Sequence, residues 1–166
     1  MEDNKHIARI AADIELLVLD VDGVLTDGRL ILGPNGEEFK AFHVRDGHGL
    51  VTVRDAGIAI AIITGRTSSV VETRMRELGV AHVHQGIRDK AACLRYIIDE
   101  LGVAPEHVCY VGDDVPDRDA MRMVGLAVAV ADACDEIHAV AALTTRRNGG
   151  CGAVREVCDL ILGARR

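Results

Sequence analysis

The sequence predicts an α/β fold: a doubly wound, mainly parallel sheet of Rossmann-like type, with a projecting β-hairpin and no separate cap domain. Two observations point there. Short apolar runs alternate along the chain with amphipathic stretches, the rhythm of strands joined by right-handed helical crossovers. The runs themselves, such as "IAIAII" ending at Ile63, are apolar at every position, as required when helices cover both faces of a sheet. At 166 residues the chain is most simply one domain, 1–166, long enough to bury about two-thirds of its unfolded surface.

The elements follow in order. The opening stretch, "MEDNKHIARIAADIE", carries scattered acids and no apolar core, so no signal peptide is expected. A first strand is expected over Glu15–Asp20. The segment "GRLILGPNGEEFKAFH" then breaks the rhythm, with β-like arms around Gly33-Pro34-Asn35-Gly36, a strong turn signal. It predicts a hairpin over about 29–43. Further strands are expected at Ile58–Thr64, Ala81–Gln85, His107–Val111 and Leu126–Val130. The helical patterns cover Gly47–Ala56, Ser68–Leu78, Lys90–Leu101, Asp117–Val124, Cys134–Ala141 and Gly152–Leu162. Gly79 and Gly102 stand where helices stop, with Pro105 beyond the second.

Composition narrows the function. Net charge is −7, and the aromatic residues are two Tyr, two Phe and no Trp. That argues against a nucleic-acid partner, which needs a basic groove or a stacking platform. No apolar run approaches the roughly 18 residues that cross a bilayer, so membrane insertion is not expected. The five cysteines (Cys93, Cys109, Cys134, Cys151, Cys158) are odd in number and form no C-x-x-C pair. They read as reduced, mostly buried small hydrophobes of a cytoplasmic protein.

Polar residues collect where strands end. "LLVLDVDGVLTDG" places Asp20 and Asp22 at the close of the first strand, with Asp27 shortly beyond. Thr64, followed by Gly65 and Arg66, closes the second; Lys90 follows the third; Asp113, Asp114 and Asp117 follow the fourth. In an open α/β sheet, ligands bind beyond the carboxyl ends of the strands. Each residue has an ordinary alternative: Thr64 and Asp117 as helix caps, Lys90 as a solvated charge. Those alternatives do not account for all four strands delivering such groups to one edge.

The grouping fits Mg²⁺ and phosphate. Mg²⁺ takes carboxylate oxygens, waters and phosphate oxygens, and Asp20 and Asp113 can supply charged ligands. A carboxylate can attack phosphorus to form an aspartyl-phosphate, and Asp22 can serve in turn as acid and base. Thr64 and Lys90 suit phosphoryl oxygens.

These motifs, D-x-D-G-V-L-T-D-G, T-G-R, an isolated Lys and G-D-D-x-x-D in this order, resemble the haloacid dehalogenase-like phosphohydrolases from about Glu15 to Leu162. The resemblance implies Asp20 as nucleophile, Asp22 as acid/base with its main-chain carbonyl on the metal, and Asp113 as a further Mg²⁺ ligand. It implies Thr64, Gly65 and Lys90 around the phosphate. Asp114 and Asp117 become supporting acids whose separate roles stay open. "FHVRDGHG", "YVGDDVPDRDAM" and "GGCGAVREVCDLIL" are similar to the members that act on sugar-acid phosphates in lipopolysaccharide synthesis. They imply 3-deoxy-D-manno-octulosonate 8-phosphate as substrate.

Spacing adds one constraint. Between Asp22 and Thr64 there is room for the hairpin, one helix and one strand, and between Thr64 and Lys90 for one helix and one strand. Neither gap holds a second core. In the resembled family a homotetramer covers the site, each hairpin packing on its neighbours. Arg45, Arg66 and Arg155 are candidates for the substrate's carboxylate, which guanidinium groups bind bidentately. His43 and His48 flank Arg45 and could touch the sugar. The alternatives are a phosphatase for a nine-carbon sugar-acid 9-phosphate, a non-catalytic lobe of a transferase, and a phospho-receiver domain. The D-x-D pair on the first strand argues against the last.

Overall fold

The computed structural model describes residues 2–165. Helix α1 (Glu2–Ala12) leads into β1 (Leu16–Leu19). A small antiparallel ribbon follows, β2 (Ile31–Leu32) and β3 (Glu38–Phe39). Then come α2 (Val44–Asp55), β4 (Ala59–Ile63), α3 (Ser69–Glu77), β5 (His82–His84) and α4 (Lys90–Leu101). The second half holds β6 (Val108–Gly112), α5 (Arg118–Met121), β7 (Leu126–Ala129), α6 (Asp135–His138), β8 (Leu143–Thr144) and α7 (Ala153–Ala164).

Six strands form one parallel sheet in the order β5-β4-β1-β6-β7-β8. The expected α/β architecture is therefore present. The pleat splits the core in two. Leu17 and Leu19 join Leu50, Val71, Met75, Val157 and Ile161 on the face covered by α1, α2, α3 and α7. Leu16 and Val18 join Leu94, Ile97, Ala120 and Ile137 on the face covered by α4, α5 and α6. Successive residues of one strand serve opposite layers, which is why the runs are apolar throughout.

Several expectations need correction. Helix α1 was unexpected: the sequence reading used this stretch only to exclude a leader. Its Ile7, Ile10 and Ala11 recur at helical spacing and pack on the core with Ile14. Strand β8 was missed because two residues leave no periodicity. The helix expected at Asp117–Val124 is a 3₁₀ turn, Val115–Asp117, followed by the single turn of α5. Pro116 and a reciprocal capping box between Asp114 and Asp117 set that tighter start. The helix expected at Cys134–Ala141 is one turn, and α2 begins at Val44 instead of Gly47. Of the cysteines, only Cys109 and Cys158 are buried, and Cys151 is exposed.

The ribbon turns where expected. Gly33 donates to the Glu37 carbonyl (2.7 Å), Gly36 takes φ +87°, and Ile31 faces Phe39 across the strands. Its arms are short and expose Leu30, Ile31, Leu32 and Phe39.

Candidate active site

The carboxyl edge of the parallel sheet carries the site. Asp20 continues β1, its N–H donating to the Val111 carbonyl (3.2 Å) and its Oδ1 accepting from the Val21 N–H (2.6 Å). Thr64 and Asp113 stand in the same position after β4 and β6, and Thr64 is buried. Gly65 beside it is exposed, leaving its backbone open to a ligand. Asp89 caps α4 by accepting from the Ala92 N–H (2.8 Å), which fixes Lys90 as the first residue of that helix.

Lys90 is the centre of the arrangement. Its Nζ lies 2.8 Å from Asp20 Oδ2 and 2.7 Å from Asp117 Oδ1, with the ammonium buried. Asp117 is fully buried and engaged on both oxygens. Oδ1 also accepts from the Tyr110 hydroxyl (2.8 Å), and Oδ2 accepts from the Asp113 N–H (3.2 Å). The open question about the supporting acids gains a geometry. Asp117 anchors Lys90 and the backbone of Asp113, while Asp114 is exposed and accepts from the Val115 N–H (2.8 Å).

Carboxylates of Asp20, Asp113 and Asp117 come within 4.8 Å of one another. Their crowding shows in their acidity. Burial, then the charge of Asp117, pushes Asp20 up to about 6 against the pull of Lys90. Burial, then the charges of Asp20 and Asp117, pushes Asp113 up to about 8. Asp113 Oδ1 is buried with no hydrogen-bond partner. Such a cluster of hard oxygens suits a divalent cation.

Asp22 is not part of this cluster and joins an ion-pair ring. Lys40, from the ribbon, contacts Asp22 Oδ1 and lies 3.4 Å from Glu38 Oε1. Arg66 Nη2 is 3.0 Å from Glu38 Oε1, and its Nε is 3.9 Å from Asp22 Oδ2. Asp27, despite its place in the acidic stretch, stays outside, exposed and bonded to Arg29 Nε (2.7 Å).

The candidate arginines separate. Arg66 joins Asp22, but Arg45 and Arg155 line another cleft, of about 820 Å³, with Arg146 and Arg147. None of Asp20, Asp22 and Asp113 lines that cleft. Buried Asp46 holds the two helix starts together there, accepting from the Arg155 N–H (2.8 Å). His43 serves as the cap of α2, its Nδ1 accepting from the Arg45 N–H (3.2 Å).

Three contributors escaped the sequence reading. Lys40 and Tyr110 carried no expectation: a single lysine in a hairpin and a tyrosine in an apolar strand have no local signal of their distant partners Asp22 and Asp117. The third is the loop "NGGCG". A Cβ added to Gly149 would stand 1.7 Å from the Gly23 carbonyl oxygen, and one added to Gly150 2.4 Å from the Thr26 carbonyl carbon. The loop presses on the turn that carries Asp22, and the run of glycines was its only signal.

Comparisons with known proteins converge. A family model described as haloacid dehalogenase-like hydrolase matches residues 48–125. A Salmonella typhi protein named 3-deoxy-D-manno-octulosonate 8-phosphate phosphatase is 50% identical over 157 residues, covering 95% of this chain and 84% of that one. The crystal structure of the Yersinia pestis protein of that name has a TM-score of 0.95 at 48% identity, over 96% of this chain and 86% of that one. The one from Moraxella catarrhalis, in complex with a magnesium ion, a phosphate ion and a KDO molecule, has a TM-score of 0.95 at 45% identity, over 97% and 92%.

Proposed function

The chain belongs to the haloacid dehalogenase-like hydrolases and is a phosphoric monoester hydrolase, and on that premise we propose that it dephosphorylates 3-deoxy-D-manno-octulosonate 8-phosphate in lipopolysaccharide synthesis. The observation that carries this reading is Lys90 held between Asp20 and Asp117 at the edge of the sheet, beside Thr64 and Asp113.

In the first step an Asp20 oxygen attacks phosphorus, the bond from phosphorus to the sugar oxygen breaks, and Asp22 gives that oxygen its proton. In the second step water attacks phosphorus, Asp22 takes the proton, and the acyl-phosphate bond opens to return the Asp20 carboxylate. Lys90 and the hydroxyl of Thr64 bind the phosphoryl oxygens, where charge develops. The residues fit Mg²⁺: Asp113 has a buried oxygen without a partner, and both Asp117 oxygens are already engaged. Asp113, Asp20 within 4.8 Å of it and, as the family resemblance implies, the main-chain carbonyl of Asp22 would hold the ion, which when bound offsets the repulsion between carboxylates and a phosphate dianion.

A homotetramer fits the exposed apolar ribbon beside a site without a cap. Arg66, whose guanidinium already sits at Asp22, is the favoured partner for the substrate carboxylate. No helix among the described residues is long and apolar enough to cross a membrane. A cytoplasmic setting agrees with the free cysteines.

The test is phosphate release from a panel of the eight-carbon sugar-acid 8-phosphate, a nine-carbon sugar-acid 9-phosphate and neutral sugar phosphates. The eight-carbon compound should be hydrolysed best, only with Mg²⁺, and Asp20→Asn should abolish turnover. A best substrate that is a neutral sugar phosphate, or an active Asp20→Asn variant, overturns the reading.

A further inference from the structure

We infer that Lys40 is a positioning residue: it docks the ribbon onto Asp22 and sets the orientation in which that carboxylate transfers protons. The inference rests on Asp22 being the acid/base proposed above. Lysine is among the residues least often buried, and Leu30, Ile31, Leu32 and Phe39 of the ribbon arms stand in solvent. Lys40, in the same arm, is the exception, with its side chain 1% exposed. Burying an ammonium costs several kcal/mol unless it is well paired. Here it meets Asp22 and Glu38, and Arg66 closes the ring from the loop after β4.

The ring treats the two Asp22 oxygens differently. Oδ1 is held by Lys40, and Oδ2 faces the Arg66 Nε at 3.9 Å. The plane of the carboxylate is thereby set by cations on two separate chain segments. A two-stranded ribbon is marginal alone, so the same contact also decides where the ribbon sits. An acid that must protonate an alkoxide and then deprotonate water depends on that aim; misplacement by about 1 Å costs on the order of 10²-fold.

The experiment separates positioning from mere support of the fold. Purified Lys40→Met is compared with wild type on a series of simple alkyl and aryl phosphates, which present no sugar-acid groups. Alkyl esters need the leaving oxygen protonated, whereas nitrophenyl phosphate does not. In single turnover the variant should release alcohol from alkyl esters about 10²-fold more slowly and nitrophenol at nearly the wild-type rate. Water attack on the phospho-enzyme, common to every ester, should slow as well; substrate affinity and melting temperature should hold. Its rate of leaving-group release should fall more steeply with leaving-group pKa, and Lys40→Arg should restore part of the loss. Added to Asp22→Asn, Lys40→Met should cost nothing further, because both changes remove one function. Equal losses in the release of alkyl and aryl leaving groups, wild-type rates on both, or additive losses in the double variant overturn the inference. If Lys40→Met does not fold, Lys40→Gln, which keeps a polar side chain and removes the charge, is compared in its place, and an unchanged leaving-group dependence with full alkyl activity overturns the inference. A wild-type protein inactive on the whole series instead overturns the phosphatase reading.

Discussion

Lys90 and Asp117 form a buried ion pair, Nζ to Oδ1 at 2.7 Å, and the same ammonium reaches Asp20 at 2.8 Å. One cation thus sits between Asp20, the nucleophile proposed above, and Asp117, the acid that braces the Asp113 backbone. Lys90→Met keeps the length of the side chain and removes the charge. It should lower kcat by about 10²–10³-fold, the cost of one lost electrostatic donor, and destabilise the fold by about 3–5 kcal/mol, because Asp117 stays buried. Tyr110→Phe removes one hydrogen bond to the buried Asp117 carboxylate and should cost about 1.5–3 kcal/mol with activity retained. Thermal melting and turnover of both variants check the pair; a fully stable, active Lys90→Met contradicts it.

The acidity of Asp113 links metal binding to pH. Its folded-state pKa, about 8, lies above the ordinary 3.8, so the folded protein holds a proton that the unfolded chain has released. That stability is fully present below the unfolded value and is lost as pH rises through about 8. Asp20, at about 6, adds the same trend over a lower range. Metal needs both carboxylates ionised. Melting curves of metal-free protein should therefore show falling stability from pH 5 to 8, and Mg²⁺ should raise the melting temperature more at pH 8 than at pH 6 (the window comes from these two values). Equal Mg²⁺ shifts at both pH values count against the site.

Gly149 tests the glycine loop. Its added Cβ would lie 1.7 Å from the Gly23 carbonyl oxygen, and backbone cannot yield as a side-chain tip does. Gly149→Ala should therefore displace the turn bearing Asp22, costing about 1–3 kcal/mol of stability and a larger relative share of kcat. Gly163→Ala, in α7 where a Cβ meets nothing within 4 Å and no positive φ is required, provides a control for which activity should persist. Comparable kcat values for the two variants would be the adverse result.

The ribbon tests assembly. Leu32 and Phe39 are 64% and 56% exposed, one in each arm. Leu32→Ser with Phe39→Ser should dissociate the homotetramer proposed above in sedimentation experiments while leaving Asp20, Asp22 and Asp113 untouched. Activity on a sugar-acid phosphate should fall well below activity on an aryl phosphate, which needs only the core site. A wild-type protein that sediments as a fully active monomer removes the premise.

What the sequence alone determined is whatever local chemistry controls. Apolar runs such as Ile58–Ile63 and glycine stops at Gly79 and Gly102 disclosed the order of strands and helices, because periodicity and turn preference act within a few residues. The same logic placed Asp20, Thr64 and Asp113 at strand ends, and Gly33–Gly36 at a hairpin turn. It failed where local signals are short or mixed: β8, and the single turns α5 and α6. Tertiary structure decided the pairings. Asp117 meets Lys90 only because two crossovers return their helices to one edge of the sheet, and Lys40 meets Asp22 only because the ribbon folds back. Arg45 and Arg155 likewise part from Arg66 because α2 and α7 start beside Asp46 and not beside Asp22. Charges of this kind can be read as a list from sequence, but which of them share a low-dielectric space depends on packing between distant segments, and that packing sets their partners and their acidity.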